Sequence, residues 1–408
     1  MNTPATPPAW QRLPLLLPAM LALAAGVWGG LVRVGWPVML PVDHAGWLTH
    51  HGALMVSGFL GTLIGVERAV GGGARAAYVA PILSGIGAVL AILGQDTRLI
   101  NGCFVAASLW FAAVTIHIAW RHRAFFTALM AGAALAWVVG NLLLLLGRPV
   151  AEVAWWWAAF LGWTIVAERL ELSRLPRLPR LARPLLVGAL GLQLTGLLVL
   201  GLNPVAGERL IGVAWLAQAL WLLRHDLARR NLRLTGLPKF TAMCLVIGYG
   251  WLALAGALLA ACTPLQTGAS YDAVLHAFFL GFIFAMIFGH APIIFPAVLR
   301  LDMTFSNRQY AHVWLLLGTL TVRVAADLAG WVEVRSWAAA GNAGALALFL
   351  GNTLAAAWRG RTDSRGGLTC IKQGSPRTAD ALNVMKHDPD QSRPNPAGLW
   401  SARERQTL

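Results

Sequence analysis

The chain has 408 residues, of which 57% are hydrophobic and only 12% charged. A soluble domain keeps about a quarter of its residues charged to cover its surface, so a soluble globular fold is excluded and lipid must cover most of this chain. The formal charge of +15 would point to nucleic acid in a soluble protein, but its distribution along the chain has another cause, and no nucleic-acid partner is expected.

In chain order, Met1 to Gln11 is polar and proline-rich. It lacks a charged n-region and a small-residue cleavage site, so residues 1–13 read as a short tail rather than a secretion signal. A span needs roughly 20 apolar residues to cross a hydrocarbon core of about 30 Å. Such stretches lie near 14–35, 46–70, 75–94, 99–120, 124–146 and 153–172. Six more lie near 183–203, 208–224, 238–262, 270–299, 308–330 and 334–358, the stretch at 208–224 being short and the weakest of them. Residues 359–408 are rich in Arg, Pro, Ser and Asp, a composition expected of a disordered cytoplasmic tail. The expectation is an all-α polytopic membrane protein, with a transmembrane domain of about twelve helices over 14–358.

Connections after even-numbered spans carry Arg68 and Arg75; Arg121 and Arg123; Arg174, Arg177, Arg180 and Arg183; Arg224, Arg229, Arg230, Arg233 and Lys239; then Arg300 and Arg308. Those after odd-numbered spans hold little beyond Arg33, Arg98, Arg148, Arg209 and Arg335. Short basic loops stay in the cytoplasm, which predicts an inner-membrane protein of bacterial type with both termini cytoplasmic. The four cysteines, Cys103, Cys244, Cys262 and Cys370, are scattered and form no CxxC pair, so neither a disulfide framework nor a zinc or thiol-redox site is expected.

One internal similarity stands out. The second span contains Phe59-Leu60-Gly61, Ile64 and Glu67-Arg68; the sixth contains Phe160-Leu161-Gly162, Ile165 and Glu168-Arg169 at the same spacing. The tenth repeats only Phe279-Leu280-Gly281, with Ile287 where the glutamate would stand. Spans four apart share the motif, which suggests three pseudo-repeats of four helices. Chance recurrence of abundant residues is the competing reading.

Ionisable side chains inside a bilayer are costly and mark candidate sites. His44, His50 and His51 lie at the extracytoplasmic start of span 2, and His276 at that of span 10. Histidines at one depth on two helices can ligate a metal or clamp a haem; the plainer alternative is a polar cap near the headgroups. His290 lies 14 residues after His276, about 21 Å deeper and within roughly 40° of it on an ideal helix. It could ligate a second cofactor, bind a proton, or hydrogen-bond carbonyls freed by Pro292. His117, His122, His225 and His312 are expected at cytoplasmic interfaces. Glu67 and Glu168, each followed by Arg, suit a helix-end ion-pair network or a proton entry point. Arg323 and Asp327 have the spacing of an i,i+4 salt bridge; alternatively Arg323 meets an anionic group such as a haem propionate. Trp155, Trp156 and Trp157 read as an interfacial aromatic anchor.

His44, His50 and His51 with Gly52, the run Met55-Val56-Ser57-Gly58-Phe59, and the segment from His276 to Ile283 together resemble the NnrS family of haem-containing membrane proteins, and more distantly subunit I of haem-copper oxidases. The resemblance implies twelve helices, cytoplasmic termini and three four-helix pseudo-repeats. It further implies a low-spin haem b between helices 2 and 10, with His51 (or His50) and His276 as axial ligands. Its implied functions are electron transfer or a response to nitric oxide, with a small gaseous or redox ligand. Spans 6 and 7 contain no histidine, so no copper centre is expected. The alternative is a transporter, possibly for a metal ion, that uses the same histidines.

Overall fold

The computed structural model describes residues 13–37, 45–172, 179–265, 267–299 and 303–372. All the regular secondary structure among them is helical. The long helices are α1 (Leu13–Arg33), α2 (His51–Gly72), α3 (Arg75–Ile92), α4 (Thr97–His122), α5 (Phe125–Leu145), α6 (Val150–Leu172) and α7 (Ala182–Val199). They continue with α8 (Pro204–His225), α9 (Gly236–Ala261), α10 (Ala269–Leu299), α11 (Gln309–Ala329) and α12 (Val332–Lys372).

Eleven of these are long and apolar enough to cross a membrane; the chain is a multi-pass helical membrane protein. The exception is α8. Its 22 residues would reach about 33 Å, but it carries Glu208, Arg209 and Gln218. The last helix runs on to Lys372, past the boundary at 358 drawn from composition. Residues 361–408 form a separate unit, and residues 373–408 of the expected tail lie outside the described residues.

Helix starts follow the local sequence. Asp96 caps α4 by accepting from the amides of Arg98 and Leu99 at 3.0 and 3.1 Å. Asn203 caps α8 from the amide of Ala206 at 3.0 Å, ahead of Pro204 in the first turn. Side-chain oxygens so placed satisfy amides that have no partner within the helix.

The interior is built on α2, α6 and α10. In the most apolar stretch of each, 67%, 78% and 61% of residues are buried, against 56% at most in the others, so these three are the innermost of the eleven. α10 packs against α9 and α11 and also reaches α2 and α6. Two of the three depart from α-helical geometry: α2 is π-helical over Leu54–Gly61 and α10 over Ala277–Ile283. Their shared Phe-Leu-Gly triplets lie inside those wide turns, whereas Phe160-Leu161-Gly162 sits in regular α-helix. Gly61 and Gly281 each receive the indole of a tryptophan, Trp137 of α5 and Trp251 of α9, with no space for a Cβ.

Two of the three tryptophans at the start of α6 are not an interfacial anchor. Trp155 and Trp157 are each only 1% exposed. The Trp157 indole donates to Asn141 Oδ1 at 3.0 Å, and Asn141 also accepts from Ser57 Oγ at 2.9 Å. Trp137 donates to Ser57 Oγ at 3.0 Å, Ser84 to the Ser57 carbonyl at 2.6 Å, and Asn141 Nδ2 to the Phe104 carbonyl at 3.0 Å. This network ties α2 to α3, α4, α5 and α6 beside the π turn. A buried indole N–H needs an acceptor, and one asparagine carbonyl serves two donors.

Candidate functional site

The site begins with close approach between α1 and α2. A Cβ at Gly30 would lie 2.9 Å from His51 Cε1 and 3.2 Å from Nδ1, so only glycine leaves the ring its place. One turn earlier on α1, the Gly26 carbonyl stands 2.6 Å from His51 Nδ1. A carbonyl can only accept, so Nδ1 carries the proton and the Nε2 lone pair is left for a ligand.

His276, at the end of the first α-helical stretch of α10, is fixed in the same sense. Its Nδ1 faces the Asp272 carbonyl at 2.8 Å and Asp272 Oδ1 at 3.2 Å. Asp272 Oδ2 in turn accepts from Arg323 Nη2 at 2.8 Å and Nε at 3.2 Å. Arg323 therefore pairs with Asp272 on the neighbouring helix, not with Asp327 four residues on. Asp327 is buried, and the guanidinium nearest it is that of Arg335, 3.7 Å away. His276, Arg323 and Arg33 all lie close enough to the His51 ring for their charges to act on it. Among the described residues, neither Nε2 has a hydrogen-bond partner.

The histidines thus divide. His51 and His276 are brought together at the same end of α2 and α10, with Arg323 and Asp272 behind His276. His50, next to His51 in sequence, is buried, and its ring makes no hydrogen bond among the described residues. His44 lies outside the described residues. No group of three or more His, Cys, Asp or Glu side chains among the described residues is arranged to hold a metal ion.

His290 belongs to a second cluster at the opposite ends of the helices. The π turn between it and His276 interrupts the α-helical register, so the shared face expected from an ideal helix does not apply. Its Nδ1 donates to the Met286 carbonyl at 2.7 Å. That carbonyl is not the one Pro292 frees, which belongs to Phe288. The charges of Glu168, Arg169 and Asp226 reach the His290 ring. Arg68 of α2 pairs with Glu168 of α6, and Arg169 pairs with Asp226 through Nε at 2.7 Å and Nη2 at 2.9 Å. Glu67 lies within electrostatic reach of Arg68 and Glu168. The matched Glu-Arg pairs of α2 and α6 therefore form one cross-linked network. His312 is not interfacial: it is 2% exposed, enclosed by Phe288 and Phe349, with Asn352 Nδ2 at 3.2 Å from its Nδ1.

Two further residues of the site around His51 and His276, Asp272 and Gly30, are not apparent from the sequence as candidates. Asp272 precedes His276 by four residues, the spacing of neighbours on one helix face, and that spacing is its only signal. Gly30 has none, since its role depends on a helix 21 residues away in sequence.

No curated protein and no solved structure matches the chain. Residues 12–358 match the model of a family described as a domain of unknown function, DUF8744. The match takes in most of the chain, which belongs to that family.

Proposed function

We propose that this protein binds a haem b between α2 and α10, with His51 and His276 as axial ligands, and serves in electron transfer. The observation that carries the reading is the paired commitment of Nδ1. Each ring donates its Nδ1 proton to a fixed acceptor, at Gly26 and at Asp272, neither Nε2 has a hydrogen-bond partner among the described residues, and the His276 charge reaches the His51 ring. A metal-ligating histidine is normally oriented by such a bond on its second nitrogen. The π turns beside both histidines add support, because such turns concentrate at functional sites. A bound haem supplies one-electron chemistry at iron. A haem held by both imidazoles would favour passing electrons over activating a gas, although a role in the response to nitric oxide fits the NnrS resemblance.

The architecture in this reading is three units of four helices, with α2, α6 and α10 in equivalent inner places. Their greater burial and the cross-paired Glu-Arg motifs support it. The membrane is the bacterial inner membrane, with both termini cytoplasmic.

The test is an absorption spectrum of protein purified in mild detergent from haem-sufficient cells. A Soret band is expected, reduced at least tenfold in His51→Ala and His276→Ala and kept in His290→Ala. Wild-type protein that folds without a Soret band would overturn the reading.

A further inference from the structure

A cavity of about 170 Å³ lies at the arginine-rich ends of four helices, lined by Phe125, Leu170, Arg183, Leu186 and Trp221. Phe125 opens α5, Leu170 is near the end of α6, Arg183 is in the first turn of α7, and Trp221 is in the last turns of α8. Phe125, Leu170 and Arg183 lie near the ends of candidate spans, where the headgroup layer of a bilayer would be met. The lining is apolar apart from Arg183, whose guanidinium carbon lies 4.9 Å from the centre of the Phe125 ring. That face-on cation–π contact holds the guanidinium at the mouth while leaving its N–H groups available. Arg183 is exposed, and no carboxylate pairs with it among the described residues. Trp221 is held in the lining by donating to the Ala182 carbonyl at 2.6 Å.

We infer that this groove is a binding site for an anionic glycerophospholipid of the surrounding bilayer. One acyl chain enters between Leu170 and Leu186, and the phosphate meets Arg183. An apolar slot suits any acyl chain; the unpaired guanidinium at headgroup depth selects for negative charge, and a planar N–H fork matches phosphate oxygens. The site is independent of the histidines and of any haem.

The experiment compares thermal stability and retained lipid by native mass spectrometry, in mixed micelles with phosphatidylglycerol or phosphatidylcholine of identical chains. Phosphatidylglycerol is expected to raise the melting temperature and to remain bound at several-fold higher occupancy than phosphatidylcholine. Arg183→Gln should abolish that preference, Arg183→Lys should keep part of it, and Leu186→Trp, which fills the slot, should lower retention of both lipids. Inorganic phosphate alone should have no effect. Equal retention of the two lipids by wild type, or an undiminished preference in Arg183→Gln with its melting temperature in phosphatidylcholine unchanged, would overturn the assignment.

Discussion

His51 and His276 present the same nitrogen outward but are not chemically alike. His51 leans on a neutral carbonyl of α1, whereas His276 also faces a carboxylate that Arg323 holds in place. A carboxylate on Nδ1–H makes the imidazole a stronger donor at Nε2, which favours ferric over ferrous iron. Asp272→Asn keeps the backbone bond and removes the charge. In the proposed haem site it is expected to raise the midpoint potential in potentiometric titration while leaving haem content near wild type; an unmoved potential would show that Asp272 only braces the helix. Arg169 and Asp226 present a different case, since both are buried and they pair with each other. Removing one partner of a buried pair leaves an uncompensated charge and costs about 3–5 kcal/mol. Asp226→Ala should therefore unfold earlier in denaturing detergent, and Arg169→Met/Asp226→Leu should recover most of the loss.

At the scale of helices, the wide turns of α2 and α10 and the bare face of α1 do the positioning. Gly30→Ala would place a methyl 2.9 Å from His51 Cε1. Overpacking of this kind costs about 1–3 kcal/mol, and here it must also displace the ring. The expected outcome is a fold close to wild type by circular dichroism, with haem retention reduced several-fold. Retention equal to wild type would mean that α1 does not set the ring. The amino-acid order is informative about where helices run and poor about how they are turned. Spans are legible because an apolar run of roughly 20 residues matches the thickness of the hydrocarbon core and little else. The π turns are invisible, since Leu54–Gly61 and Ala277–Ile283 look like ordinary apolar helix. Trp155 and Trp157 mislead because a tryptophan near a helix end suits a headgroup as well as it suits Asn141. His312 misleads for the same reason: nearness to a helix start says nothing of the phenylalanines that enclose it. Asp272 differs from these, because its spacing to His276 is local and legible, while the Arg323 that gives the spacing its meaning lies 51 residues further on.

For the molecule as a whole, the deciding question is whether α8 crosses the membrane, because an even number of spans puts both ends on one side and an odd number separates them. Mean hydropathy leaves α8 out of the eleven, but an average does not see where polar groups point. Glu208 and Gln218 are each 2% exposed. Glu208 accepts from the Leu265 amide at 2.8 Å, and Gln218 donates to Gln193 Oε1 at 2.8 Å, which the Trp163 indole shares. Arg209 reaches Thr263 Oγ1 at 3.2 Å, one turn or so from the helix start. The polar side chains that depress the hydropathy are thus satisfied inside the protein or at its edge, and Val213 and Leu220 are exposed in their place. A helix so arranged is stable in lipid, since the bilayer meets only its apolar face. If α8 crosses, the chain has twelve spans, and the arginines of the connection between α8 and α9 fall on the same side as the N-terminus. Reporter fusions after Leu202 and after Leu234 should give opposite results. Fluorescent protein should be bright only after Leu234, and alkaline phosphatase active only after Leu202. The same side at both positions would make α8 a surface helix and would place the two ends of the chain across the membrane from each other.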